Sequence, residues 1–319
     1  MEMSPSFVVG VDVGGTKVVA GLVDSDGKVL SRERTPMVVQ QGSAGGLGSL
    51  KKVIASVLAK GDASKKIEAI GVCSPGPLNP KTGVVLNPPN LPCWRNFPLA
   101  EELAQLYRVR VKVDNDANAA GLAEALWGAG RGYCNVFYFT VGTGIGTGIV
   151  IDGRIYHGRT GAAGEGGHLS IDHNGPKCGC GKRGCIEALA SGPAIARRAR
   201  EKLTPKSAML ELAGGNVDAV TSEIVGQAHA AGDAIAREVL AETIADLSFW
   251  LGNVIDLLEP DVMIVGGGVA AMLEPWFAEI RDRLPGCSIN PRCGEIPLLM
   301  AQYGEDAGIA GGAALCFQD

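Results

Sequence analysis

The sequence predicts an α/β protein made of two domains of one architecture facing a shared cleft. Three observations predict it: the chain length, a supersecondary unit that occurs twice, and the α/β elements that follow each copy. At 319 residues the chain exceeds one comfortable core and suits two domains of about 100 to 200 residues. In the first copy the apolar run Phe7 to Val13 ends in the turn DVGGTK, followed by Val18 to Val23, Asp26-Gly27, and Lys28 to Arg32. That order reads strand, turn, strand, hairpin, strand. The second copy repeats it with NVFYFTV (Asn135 to Val141), GTGIG, Thr147 to Ile151, Asp152-Gly153, and Arg154 to Tyr156. Asp12 aligns with Thr140, Gly14 with Gly142 and Asp24 with Asp152, about 128 residues on. A duplicated unit of this kind points both glycine turns into one cleft.

Further strands are expected at Glu68 to Val72, Val109 to Val113, Asp261 to Val265 and Pro297 to Ala301. Between Ala234 and Leu258, apolar residues at 235, 239, 244, 247, 251, 254 and 258 keep helical spacing, and Gly232-Asp233 supplies an N-cap. The glycine-rich stretch Gly42 to Gly48 reads as a loop ahead of a helix over Ser49 to Leu58. The domain boundary is expected near Asp114 to Ala120.

Hydrophobic residues at 46% and charged residues at 20% are those of a globular protein. The net charge of −5, with Lys and Arg scattered, argues against a nucleic-acid partner. The start, MEMSPSFVVGVDVGG, lacks the basic segment of a signal peptide, and no apolar run reaches the ~18 residues of a membrane span. A cytoplasmic location is expected, where clustered thiols serve as metal ligands or catalytic groups more often than as disulfides. The odd count of nine cysteines agrees with that.

Glycine turns after strands let backbone N–H groups approach phosphate oxygens. Register excludes a Walker A loop at Gly10 to Lys17, because Thr16 stands where the lysine belongs and a strand follows instead of a helix. Gly142 to Thr147 misses the third glycine of the dinucleotide fingerprint. Gly266 to Ala271 satisfies the variant ending in Ala, but the next strand carries no acidic residue for a ribose. Asp12 beside GGTK adds a carboxylate able to hold Mg²⁺, next to a Thr hydroxyl and a Lys ammonium. Phosphoryl transfer needs that combination of metal, backbone donors and a placed acceptor. Acid, amide and imidazole groups gather in NDAN (Asn115 to Asn118), EGGH (Glu165 to His168) and Ile186-Glu187. Asp114 and Asp116 both follow the strand VRVKV, and spacing alone does not choose between them.

DVGGTK, NDANAA (Asn115 to Ala120), TVGTGIGTG (Thr140 to Gly148), EGGH (Glu165 to His168), CGCGKRGCIE (Cys178 to Glu187) and IVGGG (Ile264 to Gly268) together resemble the ROK family of sugar kinases and repressors. The resemblance runs from Gly10 to about Ala314 and implies the actin-like, ribonuclease-H-like duplicated fold with a central cleft. The division it suggests is a small domain of residues 1–115 plus 303–319 and a large domain of 116–302 that carries a zinc loop. Repressor members have a winged helix before the first glycine turn. Only nine residues precede Gly10 here, so a kinase is expected. The segment NPPNLPCWRNFPL (Asn87 to Leu99) is most similar to the family's glucose kinases.

The resemblance implies ATP-dependent phosphorylation of glucose at its 6-hydroxyl. Asp116 would be the general base, and Asn90, Asn115, Asp116, Glu165, His168 and Glu187 would hold the sugar. Asp12, Gly14, Gly15, Thr16 and Lys17, with Thr143 and Gly144, would surround the phosphates and Mg²⁺. Gly266 and Gly267 would lie against the adenosine. An N-acetylhexosamine kinase and a sugar-sensing regulator that only binds are the alternatives, and a homodimer or homotetramer is implied.

His168, Cys178, Cys180 and Cys185 form H-x₉-C-x-C-x₄-C, a donor set suited to a closed structural Zn²⁺ site. His173 rivals His168 on spacing, and the family pattern selects His168. If one imidazole nitrogen binds zinc, the other is aimed at the sugar. The other six cysteines show no ligand spacing, and His157 and His229 receive no role.

Overall fold

A computed structural model describes residues 7–60 and 67–318. The opening segment read against a leader, residues 1–6, lies outside them. Contacts divide the chain into two compact units, residues 1–138 with 148–164 and 301–319, and residues 139–147 with 165–300.

In the first unit β1 (Phe7–Val13), β2 (Lys17–Val23) and β3 (Val29–Pro36) form an antiparallel meander. It is extended by β4 (Ile67–Ser74), a small hairpin of β5 (Leu78–Asn79) and β6 (Val84–Val85) follows, and β7 (Arg110–Asn115) completes the sheet in the order β3-β2-β1-β4-β7. β4 runs parallel to β1 and to β7. The second sheet holds β8 (Val136–Val141), β9 (Ile145–Ile151), β10 (Arg154–Ile155), β11 (Val262–Gly266) and β12 (Leu298–Met300), in the order β10-β9-β8-β11-β12. The two orders are the same topology, so the sequence repeat is a repeat of sheets.

β1 shows how period-2 patterning serves two faces. Val9, Val11 and Val13 point into a core with Leu50, Ile54 and Trp94. On the opposite face Val8 packs with Ile309, Ala313 and Cys316 of the C-terminal helix Ala307–Leu315. Gly10 and Asp12 share that second face. A Cβ on Gly10 would lie 1.9 Å from the Ile309 carbonyl oxygen, and one on Gly71 of β4 would lie 1.7 Å from that of Gly312. The helix backbone therefore rests directly on the sheet, which only glycine permits.

The remaining helices are α1 (Gly42–Lys60), α2 (Leu99–Tyr107) and α3 (Asp116–Leu126) in the first unit. In the second they are α4 (Ile186–Ala190), α5 (Gly192–Lys202), α6 (Ala208–Leu212), α7 (Ser222–Ala230), α8 (Ala234–Leu258), α9 (Ala270–Leu273) and α10 (Phe277–Arg283). α8 has the bounds its spacing predicts, with Asp233 accepting from the N–H groups of Ile235 and Ala236. The expected loop at Gly42 to Gly48 is instead the first two turns of α1. Gly45 and Gly46 are buried there, and a Cβ on Gly46 would lie 2.9 Å from Trp94 Nε1. Close packing outweighs the poor helix propensity of glycine at these positions. Among the described residues no helix is long and apolar enough to cross a membrane.

Two substitutions separate the roles of these glycines. Gly71→Ala forces β4 and the C-terminal helix apart and should cost about 2–3 kcal/mol. Gly48→Ala, exposed in α1 with open space at its Cβ position, should stabilise by about 0.5–1 kcal/mol. Urea unfolding of the two variants measures both.

Candidate active site

Asp12, Gly14, Gly15, Thr16, Lys17, Asn90, Asn115 and Asp116 belong to the first unit. Thr143, Gly144, Glu165, His168, Glu187, Gly266, Gly267 and the three clustered cysteines belong to the second.

At the end of β1 the chain reverses through a bond from Gly14 N–H to the Lys17 carbonyl at 2.9 Å. Gly15 lies under the loop carrying Asn90, whose carbonyl oxygen would sit 2.8 Å from a Cβ there. Asp12 packs on Gly308, where a Cβ would come within 2.5 Å of its carboxyl carbon. Burial, reinforced by the negative charge of Asp116 and opposed by Lys17, pushes the Asp12 carboxyl up from its ordinary 3.8 to about 6. An ionised Asp12 is thus under electrostatic stress that a bound cation relieves.

The two aspartates that spacing left equivalent differ in the structure. Asp114 is 3% exposed, and both of its oxygens are bonded within the protein. Asn115 caps α3, accepting from the N–H groups of Ala117 and Asn118 at 2.9 and 3.3 Å. Asp116 takes the first helical position, exposed, with Oδ1 accepting from Ala117 N–H at 2.8 Å.

In the second unit one carboxylate ties the cysteine loop to a glycine turn. Glu187 opens α4 and accepts from Ile145 N–H at 3.1 Å, immediately after Gly144. Its other oxygen lies 3.8 Å from both His168 Nδ1 and Cys178 Sγ. His168 ends a single 3₁₀ turn, Gly166–His168. Gly166 N–H donates to Thr147 Oγ1 at 2.8 Å, and Trp250 Nε1–H donates to the Gly166 carbonyl at 3.1 Å, so this turn is pinned on two sides.

The donor atoms of His168, Cys178, Cys180 and Cys185 all lie within 4.8 Å of one another. Cys180 and Cys185 sulfurs are 3.6 Å apart, as are Cys178 Sγ and His168 Nδ1. A tetrahedral zinc with Zn–S of about 2.3 Å has S···S edges of about 3.8 Å, so the set fits that ion. His173 is exposed and bonded to Asn174, apart from the cluster. Burial and its neighbouring thiols push Cys185 up to about 12, whereas the Lys182 backbone N–H, outweighing burial, lowers Cys180.

A cavity of about 490 Å³ opens beside Thr143, lined also by Pro193, Arg200, Glu223, Gly268 and Val269. Gly266 ends β11, and Gly267, with φ of 93°, is pressed against Thr140 Oγ1 and the Val141 carbonyl just ahead of that wall. Sequence reasoning missed the part of the wall from α5 and α7. The signals were the helix starts Ser191-Gly192-Pro193 and Thr221, both side-chain N-caps. It also missed His157, whose Nε2 is 2.5 Å from Asp114 Oδ2.

Two sheets of one topology, each with a strand-to-glycine turn, define an actin-like kinase fold. The chain belongs to the ROK family, whose pattern matches residues 8–319. A glucokinase from Thermotoga maritima is 34% identical over 310 residues, 97% of this chain and 96% of the relative. An N-acetylmannosamine kinase from Escherichia fergusonii is 32% identical, covering 96% of each. The crystal structure of a ROK family glucokinase from Streptomyces griseus in complex with glucose and AMPPNP superposes with a TM-score of 0.80 at 34% identity, over 97% of this chain and 99% of that one.

The raised carboxyl of Asp12 has a thermodynamic signature in metal-free protein. Folding favours its protonated form, so this contribution is complete below pH 3.8 and lost as pH rises through about 6. Asp12→Asn should therefore gain stability relative to the parent between those values, reaching about 3 kcal/mol by neutral pH. Urea unfolding from pH 4 to 7.5 tests this; a difference independent of pH would contradict it.

Proposed function

We propose that this chain is an ATP-dependent hexose kinase that phosphorylates glucose at its 6-hydroxyl, with Asp116 as general base. The observation that carries this reading is the separation of roles at the end of β7. Asp114 is consumed by the protein, while Asp116 stands exposed at a helix start, close enough to Asp12 for their charges to interact. The full-length kinship with glucokinases supports the substrate.

In this reading Asn90, Asn115, Glu165, His168 and Glu187 hold sugar hydroxyls, so that the 6-hydroxyl faces Asp116. Asp116 takes that proton as the oxygen bonds to the γ-phosphorus and the β–γ bridge breaks, releasing ADP. The amides of Gly15 and Gly144, the hydroxyls of Thr16 and Thr143, and the Lys17 ammonium receive the phosphate charge, with Gly14 closing the turn that presents them. Asp12 would hold Mg²⁺, which neutralises that charge when bound. Gly266 and Gly267 line the approach to the cavity, which is assigned to the adenosine.

His168, Cys178, Cys180 and Cys185 would hold a structural zinc. Because His168 Nδ1 faces the sulfurs, Nε2 is left for the sugar. The functional halves are taken as residues 1–115 plus 303–319 and 116–302, a division that gives each half one of the two like sheets. Cysteines used as metal ligands suit a reducing cytoplasm, and a homo-oligomer follows the family pattern. An N-acetylhexosamine is the second substrate reading, favoured by the E. fergusonii relative.

Asp116→Asn should lower kcat about 10²- to 10⁴-fold while glucose binding by calorimetry changes little; near-normal turnover would refute the assignment. Comparing kcat/KM for glucose and N-acetylmannosamine decides the substrate. Elemental analysis should find about one zinc per chain, and Cys180→Ser should lose zinc and glucose affinity together.

A further inference from the structure

Asp114 is buried and bonded to the half-buried His157, and the pair belongs to none of the roles above. Asp114 Oδ1 accepts from Asn115 N–H at 2.7 Å and from Asn118 Nδ2 at 3.2 Å, and Oδ2 faces His157 Nε2 at 2.5 Å. Asn118 is itself 3% exposed, and its Oδ1 has no hydrogen-bond partner, so Asp114 is what orients this amide. These bonds bracket Asp116, one residue before it and two after. His157 is a fixed post: its carbonyl accepts from Ala163 N–H at 3.2 Å, and the loop it closes lies at Gly161 against Pro80. Lys81, Lys112 and Arg154 line the cavity of about 240 Å³ beside the pair.

We propose that His157, acting through Asp114, is a positioning residue for Asp116. The proposal rests on Asp116 being the general base. A carboxylate bonded on three sides has one orientation, which gives the first turn of α3 one position relative to β7. Without the imidazole, Asp114 Oδ2 is left buried without its partner, and the segment it holds is released. Displacing a reacting group by about 1 Å costs on the order of 10²-fold in rate.

The test is a double-mutant cycle on the full chain, with kcat and KM for glucose at saturating ATP and a thermal melt of each variant. His157→Ala should fold, lower kcat about 10- to 100-fold, and leave KM within about threefold. His157→Gln, which keeps a donor at similar reach, should recover most of that loss. In an Asp116→Asn background, His157→Ala should change kcat less than about twofold, since the group it positions is gone. Should His157→Ala fail to fold, His157→Asn, too short to reach Asp114, carries the same expectations. Unchanged kcat in the shortened variant, equal damage from Gln and Ala, or an undiminished loss in the Asp116→Asn background would each overturn the proposal. Near-normal turnover by Asp116→Asn alone would instead remove the base assignment on which it rests.

Discussion

The close approach of the C-terminal helix to the first sheet is the constraint on which the first unit depends. Gly308 meets Asp12, Gly311 meets the backbone of Ala119 and Ala120 in α3, and Gly312 meets Gly71 in β4. One helix thus touches the strand carrying the candidate metal carboxylate, the helix opened by Asp116, and the strand between them. Glu124 of α3, 1% exposed, adds a polar clasp by accepting from Gln302 and Tyr303 N–H. A side chain at any of these glycines would move a functional group along with a structural one.

The second unit relies on a different device, a single carboxylate shared by two loops. Glu187 lies within reach of His168 and Cys178 while accepting from the amide that follows Gly144. The cysteine loop is therefore not an appendage to the turn at Gly144. The acidic residue that ends the cysteine motif is thus the one side chain joining His168 and Cys178 to that turn.

Periodicity made the large elements legible. The alternation in β1 and the helical spacing in α8 are each set by one face against one core, and such patterns survive in a single sequence. The duplicated topology was legible because both copies keep a strand, a glycine turn and a hairpin in register. Composition alone says loop at Gly45 and Gly46, because what selects them is packing, against Val38 for Gly45 and against Trp94, about 50 residues away, for Gly46. Spacing could not separate Asp114 from Asp116, because the difference is burial and a bond to His157, more than 40 residues later. The cluster of His168 with Cys178, Cys180 and Cys185 was readable because metal chemistry restricts both residue type and spacing. The α5 and α7 part of the cavity wall was not, because it brings Pro193 and Glu223 from two separate helices beside Thr143, and no spacing in the sequence announces that meeting.

The placement of the C-terminal helix also dictates an order of events during synthesis. Residues 165–300 of the second unit are continuous apart from the short segment 139–147, so they can be completed soon after they leave the ribosome. The first unit begins with β1 and is closed by residues 307–315, almost the full length of the chain later. Until that helix emerges, the face of the nascent β1–β4 sheet that carries Val8 and Ala69 lacks its cover of Ile309, Ala313 and Cys316. The unit that opens before the other is thus finished after it.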